Sequence, residues 1–231
     1  MALNGLFKSL QQNIYVRADL HTHTWYSPDG MMSPETLLRV AIKRKLGAVA
    51  ITDHNRLTVV ESDDIVVIPG EEIMTTHGEI IGLGLSEEIP SGLSPEETID
   101  RIREQGGLVV IPHPFDTFRR KTALLLNYEL KTRKKFAVEV LNARYVSWKP
   151  YEMAVAFAIS KNAPMLGSSD AHTPWEVGNA YTFMHYCDDM DCVLGRIKKG
   201  EVVPKGHLSN PLVHGFSAIN RAVHALHLMP L

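Results

Sequence analysis

The chain has 231 residues, 45% of them hydrophobic and 22% charged, which is typical of a globular protein with a sizeable core. Its 24 Lys and Arg residues nearly balance its 26 Asp and Glu residues. This balance gives no strong nucleic-acid-binding or membrane-surface signature, although a local basic patch is compatible with it. Two cysteines make neither a disulfide framework nor a cysteine-rich zinc module. Because no apolar stretch approaches the roughly 20 residues of a membrane span, we expect a cytoplasmic protein.

Short apolar runs alternate with helix signals along the chain. Ser33 and Ser94 are each followed by Pro and Glu, which predicts helices that begin at residues 34 and 95. Two further helices are expected over residues 151–162 and 189–199. The predicted strands are mostly continuous apolar runs, as in strands buried on both faces. They cover residues 16–20, 48–52, 65–68, 80–85, 108–111, 137–141 and 165–167, with a weaker run at 180–184.

About seven β-α units without a linker-like segment predict a single α/β domain over residues 1–231. An open doubly wound sheet and a closed barrel both fit this alternation. Polar residues that follow the strands are scattered over most of the chain. A barrel gathers the carboxyl ends of its strands around one mouth, whereas an open sheet spreads them along an edge. We therefore expect a (βα) barrel.

Residues suited to metal binding recur at these strand ends. His21 and His23 lie two residues apart, so an extended segment points both imidazoles to one side. Prolines flank His113 and fix where its imidazole points. The other candidate groups are Asp29 in a turn, Asp53 with His54, Glu71 with Glu72, and Asp170 with His172. Each group alone has a structural explanation, but buried charges are costly unless they are paired or metal-bound. Together they predict a metal site.

The types of side chain in the predicted site restrict which metal ions it could bind. Imidazole and carboxylate ligands without thiolate suit Zn, Mn or Fe. The candidates outnumber the roughly four to six ligands of one ion, so we expect two or three divalent ions. Such a cluster can bind a phosphate oxygen, lower the pKa of a bridging water and stabilise a leaving oxygen.

The segments 19–24, 51–54, 69–73, 111–116 and 167–172 together resemble the PHP family, named for polymerase and histidinol phosphatase. They follow the family's order and run through most of the chain. The resemblance implies a distorted seven-stranded (βα) barrel of the TIM-like PHP fold with a three-metal site. It also implies hydrolysis of phosphoesters by a metal-bridged hydroxide.

The resemblance also implies the metal ligands, position by position. They are His21, His23, Asp29, His54, Glu72, Glu79, His113, Asp170 and His172. In the Pro-Gly-x-Glu pattern the matching residue is Glu72 and not Glu71. Glu79 is favoured over His77 at a position that the family often fills with His; without either residue the site would hold two metals.

Other residues of the matched region are implied to act beside the metals. Glu139 and Asn142 are expected to support the ligands. Asp53, His54 and Arg119 are candidate catalytic residues, with Asp53 orienting its neighbours. Arg119 resembles a family arginine that holds the substrate phosphate, a role that suits the fixed fork of donors in a guanidinium.

Several alternatives stay open. The substrate is expected to be a phosphorylated small molecule, a nucleotide or an oligonucleotide. An amidohydrolase-type metal hydrolase and a non-catalytic metal-binding PHP module are the competing hypotheses. The basic run at residues 131–135 is interpreted as a solvent-facing segment. The physiological substrate, the native metal and the oligomeric state are left open by the sequence.

Overall fold

The computed structural model describes residues 15–226, in which nine strands form one sheet that curls into a nearly closed barrel. The α/β barrel class is confirmed, but the expected number of seven strands is wrong. The strands are β1 (Tyr15–Asp19), β2 (Ala48–Ile51), β3 (Val66–Thr75), β4 (Gly78–Leu83), β5 (Leu108–Ile111), β6 (Ala137–Asn142), β7 (Met165–Ser168), β8 (Ala180–His185) and β9 (Val202–Gly206). Their order in the sheet is β7-β6-β5-β4-β3-β2-β1-β8-β9.

Helices follow several of the strands, and two of them begin where the serine caps predict. Ser33 accepts a hydrogen bond from the backbone of Thr36, and Ser94 forms a reciprocal capping box with Glu97. The helices are α1 (Pro34–Lys43), α2 (Pro95–Glu104), α3 (Leu124–Asn127), α4 (Lys149–Lys161), α5 (Met190–Lys199) and α6 (Val213–Ala225). In the part of the chain that the structure describes, no helix has the length and apolar composition needed to cross a membrane.

Strand direction explains how the sequence motifs meet. The pairs β1-β2, β2-β3, β5-β6 and β6-β7 are parallel, whereas β3-β4 and β4-β5 are antiparallel. The carboxyl ends of the parallel strands therefore face one mouth. The expectation that Glu72 follows a strand is wrong: β3 continues to Thr75 as one arm of a hairpin, and Glu72 lies inside it.

Hydrogen bonds connect β7 to β8 and help to close the barrel. The backbone N–H of Gly167 donates to the hydroxyl of Thr182 at 3.1 Å, and that hydroxyl donates to the Gly167 carbonyl at 2.9 Å. A side chain at position 167 would place its Cβ 2.8 Å from the carbonyl oxygen of Tyr181. Only glycine therefore fits at this seam without a shift of the neighbouring backbone.

The two faces of the sheet are both buried, as the continuous apolar runs predict. On β2, Ala48 and Ala50 face the barrel interior, while Val49 and Ile51 pack with α1. Cys187 and Cys192 form one disulfide bond that closes a short loop at the start of α5. This pair is a local link and not the framework that stabilises small cysteine-rich folds.

Candidate metal centre

The loops after β1 and β7 are joined at the barrel mouth by backbone hydrogen bonds. The N–H of His23 donates to Ala171 at 2.8 Å, and the N–H of Asp170 donates to His21 at 2.9 Å. His113 and Asp170 have positive φ angles of 26° and 53°. Such backbone conformations are costly for residues with a side chain and cluster at functional sites, where the surrounding structure enforces them.

The Glu72 carboxylate lies at the centre of the cluster. Its Oε1 lies 3.2 Å from Nε2 of His21 and 3.1 Å from Nε2 of His113. Its Oε2 lies 3.3 Å from Nε2 of His23 and 3.0 Å from Nδ1 of His54. One buried carboxylate thus contacts four imidazoles, which come from three separate segments of the chain.

Two aspartates add further carboxylates to the cluster around Glu72. Oδ1 of Asp29 lies 3.3 Å from Nε2 of His172 and 3.5 Å from Nε2 of His54. Oδ1 of Asp170 lies 3.5 Å from Nε2 of His23. Although burial alone would raise the pKa of Asp29, the neighbouring His172 and His54 lower it well below its usual range. Asp29 is therefore an ionised group.

Glu79 and His77 have different environments. Glu79 is buried, with Oε1 3.6 Å from Nδ1 of His54 and Oε2 3.5 Å from Nε2 of His113. Burial, together with the like charge of Glu72, raises the pKa of Glu79 to about 7. His77 is exposed, and its ring centroid lies 4.4 Å from that of Tyr128 in a tilted arrangement. The structure therefore brings Glu79, and not His77, into the cluster.

The donor atoms suit divalent ions. Four groups have donor atoms within 4.8 Å of one another: His23, His54 and His172; His21, His113 and Asp170; His21, His23 and Glu72; and His54, Glu72 and Glu79. Oδ1 of Asp29, Oδ1 of Asp170 and Nδ1 of His113 are buried without a hydrogen-bond partner. Burial, with the nearby His172 and His54, lowers the pKa of His23 to about 4, so this imidazole offers a lone pair near neutral pH. Buried oxygens that lack a hydrogen-bond partner, together with the neutral imidazole of His23, fit a metal cluster.

Glu139 and Asn142 lie behind this cluster. Oε1 of Glu139 lies 3.0 Å from Nδ1 of His21, and its Oε2 accepts from the backbone N–H of His113 at 2.8 Å. The Asn142 amide donates to Glu139 at 2.9 Å and to Asp170 at 3.0 Å. A carboxylate on the far ring nitrogen fixes the tautomer and orientation of a ligating histidine.

Asp53 lies beside the cluster rather than in it. Its carboxylate accepts hydrogen bonds from Thr24, from the hydroxyl of Thr58 at 2.7 Å and from Ser27 at 2.8 Å. The Ser27 hydroxyl lies 3.0 Å from Nδ1 of His23 and accepts from the backbone N–H of His54 at 3.0 Å. Asp53 therefore holds two imidazole-bearing segments through Ser27, a link that the sequence showed only as part of a turn.

Arg119 reaches the edge of the cluster. Its guanidinium donates to Asp116 at 2.9 Å, to Asn142 at 3.3 Å and to Oδ2 of Asp170. The side chain is 21% exposed, so part of it remains accessible from solvent. A guanidinium has five N–H donors, and these three bonds leave donors for a further anion.

Two further arginines contact the candidate ligands and were missed by sequence reasoning. Arg144 is buried, contacts Nδ1 of His172 and lies 3.5 Å from Glu176. Arg221, on the C-terminal helix α6, donates to Oδ2 of Asp29. Neither arginine lies in a metal-binding pattern, and Arg221 is far from its partner in sequence, so no local signal could have identified them.

Comparisons with known proteins identify the family of this chain. The family model described as PHP domain matches residues 19–112, and the model described as PHP-associated matches residues 150–202. The uncharacterized protein MJ0417 of Methanocaldococcus jannaschii is 42% identical over 175 residues, which cover 72% of this chain and 69% of that protein. The chain belongs to the PHP-domain family.

Solved structures share the fold of this PHP-family chain. A two-domain protein from Bacteroides vulgatus that contains a predicted PHP-like metal-dependent phosphoesterase aligns with a TM-score of 0.63 and 18% identity, covering 89% of this chain and 70% of that one. The lesion-specific endonuclease PfuEndoQ from Pyrococcus furiosus also aligns with a TM-score of 0.63 and 18% identity, covering 85% and 60%. At this identity the likeness establishes the fold.

Proposed function

We propose that this PHP-family chain is a metal-dependent phosphoesterase that hydrolyses phosphomonoesters or the phosphoesters of nucleotides or oligonucleotides. The observation that carries the proposal is the Glu72 carboxylate, buried among four imidazoles at the barrel mouth. The partnerless oxygens of Asp29 and Asp170 lie in the same cluster and support it. Buried charge of this density is costly unless cations compensate it.

The proposed ligands are the nine carboxylate and imidazole residues of the cluster, which would hold two or three ions of Zn, Mn or Fe. They are His21, His23, Asp29, His54, Glu72, Glu79, His113, Asp170 and His172. When bound, divalent ions supply Lewis acidity, which neutralises phosphate charge and lowers the pKa of water.

The other side chains would position substrate and ligands. The N–H donors of Arg119 that face solvent would bind a phosphate oxygen, since a guanidinium matches phosphate geometry. Glu139 would keep the ligating nitrogen of His21 unprotonated by accepting from its other nitrogen. Asp53 would orient His23 indirectly, because it accepts a hydrogen bond from Ser27, whose hydroxyl contacts the His23 ring.

Substrate hydrolysis tests the proposal. The full chain would be stripped of metal, reloaded with Mn, Zn or Fe, and assayed on an aryl phosphate, histidinol phosphate, nucleoside monophosphates, a short oligonucleotide and a dipeptide. His113→Ala removes a proposed ligand, and His77→Ala is the matched control because His77 is exposed outside the cluster.

We expect phosphate release that requires metal and that falls by at least about 100-fold in His113→Ala, because loss of even an outer-shell partner costs 10- to 100-fold. His77→Ala should keep wild-type activity. Activity that survives both metal removal and His113→Ala would disprove the proposal. Hydrolysis of the dipeptide alone would favour the amidohydrolase alternative.

A further inference from the structure

A second cavity lies at the end of the barrel opposite the metal centre. Its lining includes Leu108 and Met165, the first residues of β5 and β7, and Phe136, which directly precedes β6. These strands run parallel, so their amino ends lie away from the mouth at which their carboxyl ends meet. The cavity has a volume of about 1280 Å³ and opens to solvent. It is therefore separate from the proposed catalytic site.

The cavity is strongly basic although the chain as a whole has a formal charge of −2. Among the described residues that line it there are seven Lys or Arg residues and no Asp or Glu. The seven cations are all exposed: Arg103, Arg133, Lys134, Lys135, Lys161, Lys198 and Lys199. The basic run at residues 131–135, interpreted from sequence as merely solvent-facing, thus contributes three charges to one wall.

Helix ends explain only part of this charge. Arg103, Lys161, Lys198 and Lys199 lie at or near the carboxyl ends of α2, α4 and α5, where cations offset the helix dipole. Three helix ends carry a partial charge of about −1.5 in total. Lys134 pairs with Asp100 outside the lining. An excess of about four positive charges remains, and the cations of the 131–135 run are not on a helix.

The character of the lining indicates the kind of anion. All seven cations are exposed, so they would attract a ligand through long-range, salt-sensitive electrostatics rather than through a buried hydrogen-bond network. The one aromatic residue among the described lining residues, Phe136, is buried and offers no stacking face. Recognition of bases requires stacking or base-edge contacts, whereas phosphate contacts require only cations.

We propose that this basic cavity binds the phosphodiester backbone of single-stranded nucleic acid without preference for base sequence. The proposal rests on the charge and position of the cavity and does not depend on the proposed catalytic activity. A flexible strand can follow a groove of dispersed cations and release counterions from each phosphate that it places there. The binding surface is defined by the seven cations named above.

Binding to an oligonucleotide as a function of salt tests this proposal. The probe is a fluorescent 20-nucleotide single strand with phosphorothioate linkages, which resist hydrolysis, titrated with the metal-loaded full chain. The test variant carries Arg133→Glu, Lys135→Glu and Lys199→Glu. The control variant carries Arg39→Glu, Lys43→Glu and Lys45→Glu, which reverse three exposed cations on and just after α1, outside the cavity.

For single strands, the slope of log K against log salt changes by about 0.7 for each phosphate contact. We therefore expect the test variant to bind the strand at least about 30-fold more weakly than wild type. The magnitude of its slope of log K against log salt should be smaller than that of wild type by about 2. The control variant should stay within about threefold of wild type. Hydrolysis of an aryl phosphate should be the same in all three proteins, which separates this result from any failure of the proposed catalytic function.

Thermal unfolding of each variant checks the fold. If the charge-reversal variant unfolds, Arg133→Gln with Lys135→Gln and Lys199→Gln removes the same cations without repulsion and should still lower the slope by about 2. Equal losses in the test and control variants, or an unchanged slope in the test variant, would overturn the proposal. Displacement of the strand by tripolyphosphate at equal phosphate concentration would also overturn the proposal, because it would show that the cavity binds small polyphosphates.

Discussion

Glu71 and Glu72 are neighbours in β3 and illustrate how alternation along a strand separates two roles. Glu72 faces the imidazole cluster, whereas Glu71 points to the other side and accepts a hydrogen bond from the backbone N–H of Ile89 at 2.8 Å. The second oxygen of Glu71 is buried without a hydrogen-bond partner. Burial raises the pKa of the Glu71 carboxyl to about 7 even though Ile89 donates to it.

This raised pKa predicts a pH-dependent stability. The unfolded chain releases the Glu71 proton near pH 4.5 and the folded protein near pH 7, so the folded state loses stability as the pH rises between these values. Glu71→Gln removes the buried charge and keeps an acceptor for Ile89. We expect the variant to exceed wild type by about 1–3 kcal/mol in the free energy of unfolding near pH 8, and to equal it near pH 4.5.

Urea unfolding of both proteins across this pH range measures the difference. Glu61→Gln is the matched control, because Glu61 is exposed. Its difference from wild type should not change with pH. A Glu71→Gln variant that is less stable than wild type near pH 8 would show that the charged carboxylate stabilises the fold.

At the scale of elements, the barrel closes where the backbone of β7 comes very close to the backbones of β8 and β9. Gly167 of β7 approaches the backbone of Tyr181 and Lys205, on β8 and β9. Gly195 lies within α5 and would meet no atom within 4 Å of an added Cβ. The close approach of neighbouring backbone therefore requires glycine at position 167, whereas no contact requires glycine at position 195.

Substitution by alanine at these two positions should change stability in opposite directions. Gly167→Ala should destabilise the protein by about 1–3 kcal/mol, because its Cβ would meet a backbone carbonyl that cannot move alone. Gly195→Ala should stabilise it by about 0.5–1 kcal/mol, since alanine restricts the unfolded chain and favours the helix. Urea unfolding at one pH measures both. Equal stability of Gly167→Ala and wild type would mean that the β7-β8 seam is looser than described.

Elements whose signals are local were predicted well, and those set by their neighbours were not. The serine caps of α1 and α2 lie in the sequence itself and predicted both helix starts. Strand β9 was missed because its apolar run is only two residues long and is followed by Pro204, which is tolerated there since β9 lies beside β8 at the end of the sheet order. The hairpin that extends β3 past Glu72 was missed because its partner β4 supplies the pairing.

At the scale of the whole molecule, functional residues with a local sequence signal could also be predicted, whereas those brought together only by the fold could not. His21 with His23 and Asp170 with His172 showed their spacing in the sequence, and the fold brings these pairs together. Arg221 contacts Asp29 across 192 positions, a contact that no local pattern encodes. The basic cavity likewise collects cations from three helix ends and a loop, whose common position depends on barrel topology.

The cluster at the mouth should make the stability of the entire chain depend on metal. Four carboxylates and five imidazoles lie together there, and an ion that binds only the folded state stabilises it by about 2.7 kcal/mol at 100 times its Kd. For a chain of this length, that corresponds to a rise of about 5–10 °C in Tm. Calorimetry of stripped protein with added Mn or Zn measures the rise, which His113→Ala should reduce and His77→Ala should preserve. An unchanged Tm in the wild-type protein would mean that its carboxylates and imidazoles stabilise one another without an ion.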